Sequence, residues 1–219
     1  FRKLDLKSKL KLQANQAQLT DLNLRLDNSR VNGAITFALT ERLSFGINAF
    51  VDRINIDTYL KNSKTNNLEL GLKPLPLVKN ELSKHESRQP KSEGVEDLAF
   101  LNSFDANVNL KIKKLTYEGN NFQNINLNST LHAGNLKIHK FLIKKFAKSS
   151  LEISGDIRDL THLPKVSGIK IRYKTKSLKP LTKVFKLKMP VSPKRFGAVE
   201  ITGQIDGSLL SPKIKTKII

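Results

Sequence analysis

Leu22-Asn23-Leu24-Arg25-Leu26, Asp27-Asn28-Ser29, Val31-Asn32-Gly33 and Ile35-Thr36-Phe37-Ala38-Leu39 decide how this chain folds. Apolar residues take every second position, which sets them on one side of a pleated strand and the polar residues on the other. Asp27-Asn28-Ser29 breaks the alternation with residues that suit a turn. Working outward, Leu4, Leu6, Leu10 and Leu12 alternate with Lys3, Asp5, Lys9 and Lys11. Phe45-Gly-Ile47-Asn-Ala49 and Ile54-Asn-Ile56 carry the same period toward Tyr59-Leu60, with Thr40-Glu41-Arg42 at a gap. Strands at intervals of about 8–12 residues predict a meander of antiparallel hairpins.

A second run begins at Phe104, where Ala106, Val108, Leu110 and Ile112 alternate with Asp105, Asn107, Asn109 and Lys111. Ile125-Asn-Leu127, Leu136-Lys-Ile138, Leu151-Glu-Ile153, Ile169-Lys-Ile171-Arg-Tyr173, Val199-Glu-Ile201 and Gln204-Ile205 extend it. Leu19-Thr-Asp-Leu22-Asn-Leu24 aligns with Phe122-Gln-Asn-Ile125-Asn-Leu127, a short internal match between the runs. Between them the alternation collapses into a polar stretch with Pro74, Pro76 and Pro90, read as an insertion or linker. The expected organisation is therefore a first β-repeat over 1–60, a variable insertion over 61–98, and a second β-repeat over 99–219. One short helix is expected near 177–188, capped by Ser177, with Leu178, Leu181, Val184 and Phe185 on one face and Pro190 ending it. The chain starts at Phe1 and is read as an internal or processed segment of a longer protein.

The chain carries no cysteine, which excludes disulfides, thiolate metal sites and thiol nucleophiles. It has no P-loop, no dinucleotide fingerprint, no H-E-x-x-H and no G-x-S-x-G. His85, His132, His139 and His162 are scattered without carboxylates at ligand spacing, and no catalytic residue, metal site or cofactor is expected. The formal net charge of +20 is large for 219 residues. Between Asp159 and Glu200 no acidic residue occurs, whereas Lys165, Lys170, Arg172, Lys174, Lys176, Lys179 and Lys183 all do. Such a field favours anionic partners: nucleic acid, an acidic lipid surface or an acidic protein.

Each predicted strand has one apolar face, and periodicity fits two architectures equally. In one, two sheets cover each other as a sandwich. In the other, an open, curved sheet leaves that face available to something greasy, as large exposed apolar areas normally do.

Leu22-Asn-Leu24-Arg-Leu26-Asp27-Asn28-Ser29, Val31-Asn32-Gly33 and Ile54-Asn-Ile56-Asp57-Thr-Tyr59-Leu60 follow one another in an order that resembles the repeat of the AsmA family of Gram-negative envelope proteins. Leu98-Ala-Phe-Leu101-Asn-Ser-Phe104, Leu110-Lys-Ile112-Lys-Lys-Leu115-Thr-Tyr-Glu-Gly119, Leu131-His-Ala-Gly134, Leu151-Glu-Ile153-Ser-Gly155 and Gly197-Ala-Val199-Glu-Ile201-Thr-Gly203 continue the likeness. Lys144-Lys-Phe-Ala-Lys148 departs from it, standing where the family commonly has a glycine-rich turn. The resemblance implies a mainly β fold: an elongated antiparallel meander curved into an apolar groove, like that of bridge-like lipid transfer proteins. It further implies a periplasmic body anchored to the inner membrane through a segment outside this chain, and a role in intermembrane lipid transport and outer-membrane assembly and homeostasis. The expected partners are phospholipids, the inner membrane and the outer membrane, with envelope proteins as further candidates. Groove lining is assigned to Leu22, Leu24, Leu26, Ile35, Phe37, Phe45, Ile47, Val108, Leu110, Ile112, Ile125 and Leu127. Contact with anionic headgroups or a membrane surface is assigned to Lys170, Arg172, Lys174, Lys176, Lys179 and Lys183.

Two alternatives stay open at this point. A basic nucleic-acid-binding β-domain is suggested by charge and by Tyr173, Phe185 and Phe196, but disfavoured by the scarcity of stacking aromatics. A structural domain that binds envelope proteins through its sheet edges is the other.

Overall fold

The computed structural model describes residues 3–39, 41–63, 96–180, 197–208 and 211–218. Their strands are β1 (Leu4–Gln13), β2 (Gln16–Leu26), β3 (Ser29–Leu39), β4 (Leu43–Asn55), β5 (Phe104–Tyr117), β6 (Asn120–His132), β7 (Asn135–Phe146), β8 (Ser149–Arg158), β9 (Lys165–Thr175), β10 (Val199–Ser208) and β11 (Ser211–Ile218). All belong to one 11-stranded sheet whose spatial order is the sequence order. A helix α1 (Asp57–Ser63) follows β4, and a 3-10 helix (Glu96–Asn102) precedes β5. Both lie at the margins of the stretch read as an insertion, most of which falls outside the described residues. The helix expected near 177–188 begins with helical backbone at 179–180, and its remainder also falls outside them.

Antiparallel pairing holds throughout except at one joint, where β4 and β5 run parallel. This departs from the expected hairpin meander. The connection from Asn55 to Phe104 carries the chain back to the end at which β4 began, as a parallel neighbour requires. Alternation fixes which side chains share a face, and it is blind to strand direction. The two apolar runs thus meet side by side in one sheet.

Tight turns account for most of the remaining connections. Glu118-Gly119, Ala133-Gly134 and Ala147-Lys148 each close a two-residue hairpin with both residues at positive φ. That geometry matches the twist of the strands it joins. Ala147 (φ 47°) and Lys148 (φ 63°) form theirs without a glycine, so the departure seen at Lys144–Lys148 preserves the pairing of β7 with β8. A side chain in this conformation costs about 1–2 kcal/mol. Lys148→Gly should therefore raise stability by about 1 kcal/mol, visible as a higher urea midpoint, and a lower midpoint would contradict the turn assignment.

Two further left-handed residues other than glycine sit inside strands. Asp21 and Asn124 both have φ 52°. They occupy equivalent places in the internal match, between Leu19 and Leu22 and between Phe122 and Ile125. At Asp21 the register slips by one residue between Leu19 and Leu22, as at a bulge. The slip lets apolar residues three apart reach the same face.

No second layer covers this sheet among the described residues. Each strand packs against its sheet neighbours, and the 3-10 helix adds a contact with β5. No side chain there is fully buried. Of the two architectures open to the sequence, the described residues adopt the open sheet.

Candidate functional site: an uncovered apolar face

Directly opposed residues on neighbouring strands share a face, so the register traces rows across the sheet. One row reads Leu6, Leu24, Val31, Val51, Ile112, Ile125, Ile143, Leu151, Tyr173, Ile201 and Ile218. It crosses every strand without a charge. A parallel row reads Leu12, Ala17, Phe37, Phe45, Ala106, Leu131, Leu136, Ile157 and Val166 before Gly207 and Pro212. Between them run Leu22, Gly33, Ala49, Leu110, Leu127, Phe141, Ile153 and Ile171. Ten interstrand spacings span about 48 Å, more than the ~30 Å hydrocarbon core of a bilayer.

All twelve residues assigned to groove lining lie on this face. Ile35 opposes Ile47, which opposes Val108, and Leu26 opposes Leu4. Leu22 and Ile125 are the most enclosed of the twelve, at 7% and 6% exposure, and the other ten are half-buried among their neighbours. At the edges the face is bare: Leu12 on β1 is 70% exposed and Ile218 on β11 is 69% exposed. Phenylalanines thicken it toward the strand ends. Phe37, Phe45 and Phe104 meet edge to face with centroids 5.5 and 5.3 Å apart, and Phe122 stacks on Phe146 at 4.6 Å.

The opposite face is polar. Asn48, Asn109, Asn128 and Lys140 form one of its rows. Asn128-Ser129-Thr130 lies within β6. Lys170, Arg172 and Lys174 also project from this opposite face, being offset by one residue from Ile169, Ile171 and Tyr173. Glu200 pairs with Lys174 at 2.9 Å and with Arg172 at 3.7 Å. Lys176 and Lys179 are exposed just past the end of β9, and Lys183 lies outside the described residues.

The sequence reading did not foresee the polar cluster at the strand ends that include the β3–β4 and β6–β7 turns. Asp105 accepts from the Ala133 amide at 3.1 Å, meets His132 Nδ1 at 2.9 Å and pairs with Arg42 at 3.2 Å. Arg42 also donates to the Asn102 carbonyl, and the Asn102 amide donates to Thr161 Oγ1 at 2.7 Å. The cluster ties the β3–β4 turn of the first run to β5 and two connections of the second. His139 Nε2 meets Thr130 Oγ1 at 3.0 Å. No group of histidine and carboxylate side chains that could hold a metal occurs among the described residues.

Partial burial opposes ionisation of Asp105, but the Ala133 amide, His132 and Arg42 outweigh it and hold the carboxyl below its ordinary value. A depressed folded value means stabilisation that is complete above the unfolded value, near pH 4, and lost as pH falls through the folded one. Asp105→Asn should cost about 1.5–3 kcal/mol at pH 7. Urea titrations from pH 7 to pH 3 should show the gap from wild type closing below about pH 4. A gap independent of pH would contradict the ionic role.

At the other ends of the strands, carboxylates tie turns together. Asp57, at the start of α1, accepts from the Glu118 and Gly119 amides of the β5–β6 turn at 2.5 and 2.9 Å. Asp52 accepts from the Arg30 amide at 2.8 Å. Asp57 thereby holds α1 against the β5–β6 turn, and Asp52 ties β4 to β3. No helix among the described residues is long and apolar enough to cross a membrane. Comparisons with family models, with curated proteins and with solved structures return no match to this chain.

Proposed function

We propose that this chain is a segment of a membrane-anchored, AsmA-like periplasmic protein that lays phospholipid acyl chains along its apolar sheet face and so supports lipid transport between membranes. The observation that carries this reading is the uncharged apolar row that crosses every strand and is left uncovered by the described protein. Moving an acyl chain from water onto such a face gains up to about 0.8 kcal/mol per methylene fully buried. The rows run perpendicular to the strands, so a lipid can shift from strand to strand while its tails stay on aliphatic side chains. No chemical step is needed for that passage.

The lysines on the other face are the observation that favours a nucleic-acid-binding reading. Glu152, Glu200 and Asp206 interrupt that array with carboxylates opposite Arg172, Lys174 and Lys213. One experiment separates the two: mass spectrometry of lipid extracted from the full-length protein purified from cell envelopes, beside a DNA titration at rising salt. Phospholipid recovered with the protein supports the lipid face. Lipid-free protein with tight, steeply salt-dependent DNA binding supports the alternative.

A further inference from the structure

A recess of about 1130 Å³ lies at the strand ends around the β7–β8 turn and the exit of β9. It reaches round those ends, taking Phe146, Thr175 and Val199 from the apolar face and Lys145, Lys174 and Glu200 from the other. Lys144, Lys148 and Lys176 complete a basic rim, and the Lys176 amide donates to the Lys148 carbonyl at 3.3 Å, holding two of them side by side. Among the described residues that line the recess Glu200 is the one carboxylate, and Lys174 and Arg172 already engage it. Lys144, Lys148 and Lys176 make no ion pair with a described carboxylate. Hydroxyls lie where this rim meets the apolar face: Ser149 Oγ is 2.6 Å from Tyr173 Oη, and Thr175 Oγ1 donates to the Ser177 carbonyl.

We infer that this recess is a headgroup site for anionic phospholipid, taking the phosphate's negative charge, which no headgroup ammonium offsets, on Lys144, Lys148 and Lys176 while the tails lie on the adjoining apolar rows. The inference rests on the lipid-binding reading above and adds a selection to it. Charge complementarity fixes the occupant, because paired phosphate and lysine exchange favourable charge–charge contact where an apolar floor begins. Lys170 and Arg172, on the outer face of β9, do not line the recess, and Lys174 is engaged by Glu200.

The test loads full-length protein from mixed vesicles of zwitterionic phosphatidylethanolamine and anionic phosphatidylglycerol, then reads the bound lipids by mass spectrometry. Wild type should be enriched severalfold in the anionic lipid relative to the vesicle. Lys144→Gln with Lys148→Asn and Lys176→Gln should return that ratio to the vesicle value with total bound lipid unchanged; asparagine suits the left-handed backbone at 148. The corresponding arginine substitutions should retain the enrichment, which separates charge from folding. Wild type loaded at the vesicle ratio, or enrichment that survives the triple neutral variant, overturns the headgroup site and leaves the lipid face standing. Wild type that takes up neither lipid overturns the face itself. Lipid-free protein that binds inorganic phosphate through these lysines as strongly as it takes the anionic lipid overturns a lipid as the source of the phosphate.

Discussion

Leu110→Asp should leave the sheet folded and lower the lipid recovered with the full-length protein by at least tenfold. Leu110 sits near the middle of the sheet, between Ala49 on β4 and Leu127 on β6. Its side chain is half-buried by neighbours on the same face, and no described residue forms a layer above them. In a closed core a carboxylate at this position would stay desolvated and unfold the protein. On an open face it rises into water when no lipid is present, so the thermal midpoint should move little. With lipid bound the same carboxylate lies against hydrocarbon, where an aspartate costs about 2.5–3.5 kcal/mol. That penalty converts to more than a tenfold loss of affinity. Asn109→Asp, one residue away on the polar face, should change neither lipid nor stability. Unfolding by Leu110→Asp, or equal losses at 109 and 110, would mean the face is covered.

Gly155→Ala should cost at least about 3 kcal/mol, enough to consume much of the stability of an ordinary domain. Gly155 holds φ +134°, a conformation closed to residues with a side chain. An added Cβ would lie 2.6 Å from the Gly168 carbonyl oxygen and 2.6 Å from the Ile169 Cα, both backbone atoms of β9 that cannot turn aside. The position coincides with a register shift between Ser154 and Asp156. Relieving the clash would push β9 from β8 and interrupt the apolar rows there. Gly168 supplies the comparison: its φ is +58° and an added Cβ meets nothing within 4 Å. Gly168→Ala should cost only about 1 kcal/mol. Urea denaturation of the two variants measures the difference, and equal costs would contradict the close approach of β8 and β9.

Much of the sheet was legible in the sequence because a one-layer sheet writes its face into a two-residue period. Ile35, Phe37, Phe45 and Ile47 alternate in sequence and oppose one another in pairs, as alternation requires. What escaped was information the period does not carry. Direction was invisible, so the parallel joint of β4 and β5 came as a correction. The turn at Ala147-Lys148 lacks the glycine that usually announces left-handed backbone, and its geometry follows from the strands that it connects. Lys213-Ile214-Lys215-Thr216-Lys217-Ile218 of β11 alternates but carries only two isoleucines behind Pro212, too weak a signal to mark a strand.

The candidate face shows the same division. All twelve residues share one face, as alternation requires, because membership of a face is a local property. Whether anything covers that face depends on layers, and no local pattern encodes a missing layer. Nor could charge composition say on which side the lysines fall. Lys170, Arg172 and Lys174 were singled out as a run, while the rim lysines Lys144, Lys148 and Lys176 come together only through the β7–β8 turn and the end of β9.

The most direct measurement places a photo-reactive phenylalanine analogue at Leu110 or at Asn109 in the full-length protein, irradiates living cells, and analyses the purified protein for covalent phospholipid by mass spectrometry. An uncovered apolar face in use as a lipid path predicts lipid adducts at position 110 and none at 109. No adduct at 110, or adducts equally at both, would contradict it.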